Sequence, residues 1–210
     1  MKLYGHPMST CTRKIMATLA EKGHEAEFVM VDLMKGEHKQ PEHLARQPFG
    51  VVPAFEDDGF MLYESRAVIR YLDAKLSGPA LTPKDPHALG LMEQWMSVEQ
   101  SYFTPHAMKV VMQAMFAPMR GQTPDPKVIE EGLADAAKAL DVLEKGLEGK
   151  EYLAGPFSLA DLDWAPYVEY FVAAGGKDVV EARPNVAAWW KRVSSRPSWQ
   201  HAIGKGKSAS

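Results

Sequence analysis

The sequence has a single cysteine, Cys11, among its 210 residues. No internal disulfide can form, so stability must come from the core, and a reducing compartment, the cytoplasm, is the expected setting. Long apolar runs are also missing. The hydrophobic stretches break well before the roughly 18 residues that cross a bilayer, so no membrane partner is expected. The first residues, one Lys and then Tyr4, Gly5 and His6, lack the apolar centre of a secretory leader, and none is expected. There is no basic excess: 24 Lys and Arg stand among 27 Asp and Glu, for a formal net charge of -3. Such interspersed charge argues against a nucleic-acid partner. The 7 histidines show no metal-ligand spacing, and His38 and His43, five apart, would point to different faces of a helix. No metal and no resident cofactor are expected. The sequence has no GxxxxGK[ST], GxGxxG or GxSxG motif, no internal repeat and no low-complexity segment. What is present is ordinary globular chemistry, 46% hydrophobic and 24% charged, with ample material for a core.

The chain changes texture along its length. Over residues 1–76 the hydrophobic period switches every ten to fifteen residues. Lys2–Tyr4 reads as a short strand followed by the turn Gly5-His6-Pro7. Cys11, Ile15, Thr18 and Leu19 recur at helical spacing from Thr10 to Glu21, and Gly23 supplies a stop. Glu27–Asp32 alternates as a strand, and residues 38–46 predict a weak helix. Pro53–Glu56 and Phe60–Tyr63 flank Asp57-Asp58-Gly59, whose Asp-Gly pair signals a hairpin. Ala67, Val68, Tyr71 and Leu72 then mark a helix over Glu64–Leu76. The order βαβ, helix, ββ hairpin, helix is the thioredoxin-like arrangement. Three prolines and a glycine between Ser77 and Pro86 predict a linker over 78–85. It separates a domain at 1–77 from an all-helical domain at 86–210. In that second part a long helix runs to about Phe116, with Pro105 expected to kink it, and another runs from Pro126 to about Leu147. Ser158-Leu159-Ala160-Asp161 has the form of a capping box, with Phe157 and Leu162 placed for a hydrophobic staple. The tail 204–210 is expected to be loose. The fold class is thus α/β followed by all-α.

Five pieces are familiar together: GHPMSTCTRK (5–14), DLMKGEHK (32–39), QPFGVVPAFED (47–57), YESRAVIRYL (63–72) and GPFSLADLDWAP (155–166). In this order and spacing the sequence resembles the cytosolic glutathione transferases over almost its whole length, most closely their serine-type, phi-like branch. The resemblance implies a first domain that binds glutathione as co-substrate and a helical domain that shapes the site for a small apolar electrophile. The activity implied is detoxifying conjugation.

The chemistry gives each matching residue a task. A cysteine-like thiol with a pKa of about 8.5 is only roughly 3% thiolate at pH 7. A serine hydroxyl cannot act as its base, but it can donate a hydrogen bond that favours the anion. Ser9 stands where the first turn enters the first helix, so the helix N-terminus would act on the same charge. Serine at that position is also an ordinary N-cap. By the resemblance, Glu64 and Ser65 match the ammonium and carboxylate ends of the γ-glutamyl unit. A cis peptide before Pro53 turns the backbone of Val52 toward the cysteinyl unit, and His38 and Lys39 reach the glycyl carboxylate. Relatives usually carry Gln or Lys where this chain has Val51, so one polar contact is lost, which the charge of His38 and Lys39 could replace. Met8, Tyr102, Phe103, His106, Met112 and Met115 could line the electrophile pocket, although Met and aromatic stripes also build cores. The resemblance further implies a homodimer, with Phe49 of the Gln47–Gly50 turn entering a pocket on the neighbour.

Two other functions remain open. Cys11 lies in the first helical turn, where thiols are acidified, and could serve a glutathione-dependent reductase or peroxidase. A fold relative with its glutathione site weakened at Val51 could instead bind ligands without catalysis.

Overall fold

A computed structural model describes residues 1–205, and the last part of the tail expected to be loose lies outside the described residues. Two compact units form, one from Met1–Leu81 with the stretch from Ser195 on, the other from Thr82–Ser194.

The first unit contains β1 (Lys2–Gly5), α1 (Thr10–Lys22), β2 (Glu27–Met30), a 3-10 turn (Glu37–Lys39), α2 (Pro41–Leu44), β3 (Ala54–Asp57), β4 (Phe60–Tyr63) and α3 (Ser65–Lys75). The sheet runs β2-β1-β3-β4, with β1 and β2 parallel and the other pairs antiparallel, so the thioredoxin-like order is observed. Strand period two separates its faces. Leu3 pairs with Phe55, and both are buried on one side, while the neighbouring pair Tyr4 and Ala54 is buried on the other with Val31. Gly23, at φ 72, ends α1, and Asp58 and Gly59, at φ 49 and 84, make the hairpin turn that needs two left-handed residues.

Two local features differ from the sequence expectation. β2 ends at Met30 rather than Asp32, because Asp32 Oδ1 accepts the N–H groups of Met34 (2.9 Å) and Lys35 (3.1 Å) and turns the chain. The weak helix over 38–46 is split into the 3-10 turn and α2, because Pro41 holds Gln40 extended at φ -76, ψ 149. A buried ion pair ties α1 to α3: Lys22 Nζ lies 2.8 Å from Asp73 Oδ1 and also donates to the carbonyl of Pro79 at 3.0 Å.

The second unit is helical: α4 (Pro86–Val98), α5 (Thr104–Val111), α6 (Ala117–Met119), α7 (Pro126–Gly146), α8 (Leu159–Phe171), α9 (Lys177–Glu181) and α10 (Pro184–Ser194). A last helix, α11 (Pro197–Ala202), packs on α1 in the first unit, where Arg196 grips the Glu21 carboxylate at 2.6 and 2.8 Å. The interruption expected at Pro105 is present as a π turn, Glu99–Phe103, just before it. A second π turn, Met112–Phe116, precedes Pro118 in the same way. Proline has no N–H and crowds the carbonyl one turn earlier, and a wider turn removes both conflicts.

Trp164, fully buried, centres this unit. It stacks on Phe103 at 5.0 Å and meets Trp95 and Trp189 edge-on, and its Nε1 donates to the Trp95 carbonyl at 2.9 Å. Gly146 is required where α7 passes Trp95, since a Cβ there would fall 2.2 Å from the indole. The capping box at Ser158 and Asp161 is present and buried. Asp161 accepts from Trp189 Nε1 (2.8 Å), from the backbone of Ser158 (2.9 Å) and Leu153 (3.1 Å), and from the Ser158 hydroxyl (3.2 Å).

Burial pushes the Asp161 carboxyl up to about 6, although all these donors favour its charge. The folded value lies above the ordinary 3.8, so its contribution to stability is fully present below about pH 4 and is lost as pH rises through 6. Between pH 4 and 7, wild type should therefore lose about 2 kcal/mol relative to Asp161→Asn, which does not titrate there. Urea unfolding of both proteins at the two pH values measures this, and a stability difference that does not change with pH would contradict it.

Candidate active site

The register of the sheet collects the candidate residues. Val29, Tyr4, Ala54 and Tyr63 lie side by side in one row across the four strands. From that row the chain leaves one end of the sheet four times: through Gly5 to Ser9, back from Ala54 to Pro53 and Val52, on from Tyr63 to Glu64 and Ser65, and from β2 toward His38. Residues far apart in sequence thus share one end of the sheet.

Ser9 is the N-cap of α1, with extended backbone at φ -77, ψ 126. Its Oγ accepts the Thr12 N–H at 3.3 Å, a contact that leaves the hydroxyl proton available for a ligand. The loop before it is held at three points. The Ser9 N–H donates to the His6 carbonyl at 2.8 Å, the Met8 N–H to His6 Nδ1 at 3.2 Å, and Arg13 Nε to the Pro7 carbonyl at 2.8 Å. Gly5 lets this loop close on the helix, since a Cβ would fall 2.7 Å from Thr12 Cγ2. Cys11 sits in the first turn, half-buried, with the Thr10 hydroxyl 3.9 Å from its sulfur.

The Val52-Pro53 peptide is cis. Glu64 precedes α3 at φ 69, ψ 106, an unusual backbone for a residue with a side chain, and that side chain makes no capping bond to the helix. Plain acidic capping therefore does not account for it. Glu64 is exposed, while Ser65, the first residue of α3, is buried.

The turn Glu37–Lys39 lies against the loop that leads to Val52. The Cβ that Gly50 lacks would sit 3.0 Å from the His38 carbonyl, and Lys39 Nζ reaches the Phe49 carbonyl at 3.4 Å. Burial, with the charges of Lys39 and His43, holds the His38 pKa below its ordinary 6.5. That disfavours a charge on His38, whose buried Nδ1 has no partner among the described residues, and leaves Lys39 as the main source of positive charge here. His43 and Gln47, both buried, organise the same loop, a role that their spacing in the sequence does not signal.

Met8 belongs to the first unit, and the other pocket candidates belong to the second. Tyr102 and Met112, 64% and 36% exposed, lie in the two π turns, and His106 Nδ1 lies 3.4 Å from Asp135 Oδ2 on α7. Phe103 is corrected to core: it is fully buried between Trp164 and Phe171. Among the described residues there is no cluster of three or more possible metal ligands, and no helix is long and apolar enough to cross a membrane.

The chain is similar to known proteins over nearly its whole length. Residues 1–74 match the family model "Glutathione S-transferase, N-terminal domain", and residues 103–197 match "Glutathione S-transferase, C-terminal domain". The chain is 43% identical over 209 residues to glutathione S-transferase F9 of Arabidopsis thaliana, covering 98% of this chain and 97% of that one. Among solved structures, glutathione transferase F7 from Populus trichocarpa superposes with a TM-score of 0.93 at 40% identity, covering 98% and 99% of the two chains. Maize glutathione S-transferase I, solved with an atrazine glutathione conjugate, gives 0.89 at 36% identity and covers 100% and 99%.

The backbone at Glu64 leads to a direct test. Holding a side-chain-bearing residue at such dihedrals costs on the order of 1–3 kcal/mol, whereas glycine gives up only about 0.5–1 kcal/mol in the unfolded chain. Glu64→Gly should be as stable as wild type or more stable by about 1 kcal/mol, and Glu64→Ala should gain nothing. Denaturant midpoints decide it: a glycine variant clearly less stable than the alanine one would mean that this backbone carries no strain.

Proposed function

The chain belongs to the glutathione S-transferase family, and from that premise we propose that it conjugates reduced glutathione to small apolar electrophiles through a thiolate stabilised by Ser9. The observation that carries this reading is the hydrogen bonding of Ser9. Its oxygen accepts the Thr12 N–H and leaves its proton free for donation to a ligand in front of α1, where the helix dipole also favours an anion. Shifting a thiol pKa by 1–3 units takes about 1.4–4 kcal/mol, which a donated hydrogen bond and a helix N-terminus can supply together.

The tripeptide's other contacts follow from the shared end of the sheet. The exposed Glu64 carboxylate suits the γ-glutamyl ammonium, and Ser65, with the first turn of α3, suits its carboxylate. The backbone of Val52 beside Pro53 suits the cysteinyl unit. Lys39 supplies charge for the glycyl carboxylate, and His38, its charged form disfavoured by burial, supplies a hydrogen bond. Glutathione is then a co-substrate and no resident cofactor is needed. With one cysteine in the chain, the cytoplasm is the proposed setting.

The proposal includes a homodimer. Phe49 is 68% exposed at the tip of its turn, flanked by Pro48 and Gly50, with an edge contact to Tyr63 at 6.1 Å. A large apolar side chain presented in this way fits a pocket on a second copy.

Ser9→Ala should lower turnover by about one to three decades, since one donor to an anion is worth about 2.7–4 kcal/mol in an enclosed site and less in an open one. The same change removes a helix cap worth about 1 kcal/mol, so Ser9→Thr, which keeps cap and hydroxyl, is the control and should retain activity. Thiolate absorbance of bound glutathione should fall in the alanine variant only. Normal turnover and an unchanged thiol pKa in Ser9→Ala would falsify the assignment. Loss of activity in Cys11→Ala but not in Ser9→Ala would establish the thiol-redox reading instead. For the assembly, sedimentation should give twice the 23.3 kDa chain mass. Phe49→Ser should shift that equilibrium toward monomer, and a variant still fully dimeric at submicromolar concentration would take Phe49 out of the interface.

A further inference from the structure

His43 lies in α2 with its ring buried, and no step of the conjugation needs it. Its Nε2 lies 2.7 Å from the carbonyl oxygen of Val51. A carbonyl only accepts, so Nε2 carries the proton and the imidazole is a donor toward the loop. With Tyr4, Val31, Glu42 and Arg46, His43 borders a cavity of about 340 Å³. The hydrogen bond gives the buried ring a directional constraint.

The same short helix holds the rest of the loop. The Gln47 N–H donates to the His43 carbonyl at 2.8 Å, and Gln47 Oε1 accepts the Phe49 N–H at 2.7 Å. On the far side of Gly50 stands the His38-Lys39 turn, and the residue after Val51 is Val52. Two groups assigned to neighbouring parts of one tripeptide, Lys39 and the Val52 backbone, are thus spaced by a segment whose last carbonyl His43 holds.

We propose that His43 is a positioning residue for glutathione: its ring N–H fixes the Val51 carbonyl and so sets the distance between Val52 and the His38-Lys39 turn. The inference rests on the function proposed above. It concerns binding of the tripeptide and not activation of its sulfur, which lies with Ser9.

The test compares His43→Phe, which fills the volume without a donor, with His43→Gln, whose amide nitrogen can take the place of Nε2. In steady-state kinetics with an aryl halide, the phenylalanine variant should raise KM for glutathione about fivefold, the value of one net hydrogen bond, with kcat within about twofold of wild type. The glutamine variant should recover most of that loss, and the thiol pKa of bound glutathione should not move in either. His43→Ala serves the same comparison if phenylalanine cannot be accommodated. An unchanged KM in the donor-free variant, equal losses in the phenylalanine and glutamine variants, or a fall in kcat at constant KM would each overturn the proposal. Retention of wild type on immobilised glutathione separates the two levels. A wild type that does not bind overturns the function itself, whereas a binding wild type with an indifferent His43 overturns only this assignment.

Discussion

The first turn of α1 begins with backbone N–H groups that no helical carbonyl can reach, and Ser9 Oγ satisfies one of them, that of Thr12, at 3.3 Å. Much of the first unit depends on this termination. It fixes where the helix starts, and the bonds from Ser9, Met8 and Arg13 to His6 and Pro7 then fix the loop that joins it to β1. A hydroxyl that caps by accepting keeps a proton to donate, so one side chain can both end a helix and face an anion. A carboxylate cap would satisfy the same N–H but would repel a thiolate.

The second unit shows the same constraint met in a dry environment. Ser158 and Asp161 cap α8 where both are fully buried, and Trp189 and Leu153 supply Asp161 with further donors. The arrangement joins the start of α8 to α10 and to the loop after α7, with Trp164 packed one turn later among Trp95, Phe103 and Trp189. Burial still raises the Asp161 pKa, because hydrogen bonds only partly replace water around a charge. In the first unit, by contrast, Asp57 is held below the ordinary carboxylate range by its bonds to Lys75 and Tyr71. In one chain, desolvation outweighs hydrogen bonding at Asp161, whereas bonds to Lys75 and Tyr71 outweigh it at Asp57.

Much of this was legible in advance because the signals are local. The Asp58-Gly59 turn, the Gly23 stop, the Ser158–Asp161 box and the interruption before Pro105 each follow from the φ, ψ or hydrogen-bonding limits of one or two residues. The same kind of limit, at Asp32 and Pro41, explains where β2 ends sooner and where the weak helix splits. Phe103 went the other way: its spacing suits a pocket as well as a core, and only its neighbours Trp164 and Phe171 decide between them. His38 reads as a possible charge in sequence, but its ionisation depends on burial and on the nearby cations, which spacing does not reveal.

By itself the sequence determined the order of the elements, their turns and caps, the absence of any internal disulfide, and the residue types available for thiol chemistry, because these depend on backbone geometry and side-chain identity at neighbouring positions. Tertiary structure alone decided that Ser9, Val52, Pro53, Glu64 and Ser65 leave the sheet at one end, since that depends on the pairing of Tyr4 with Ala54 and of Ala54 with Tyr63. It also decided that α11 returns to α1 through Arg196 and Glu21, that Glu64 takes a left-handed backbone, and that His43 holds the Val51 carbonyl. Each joins groups whose separation in the chain carries no periodic signal, and such contacts are set only when the whole sheet and its covering helices close.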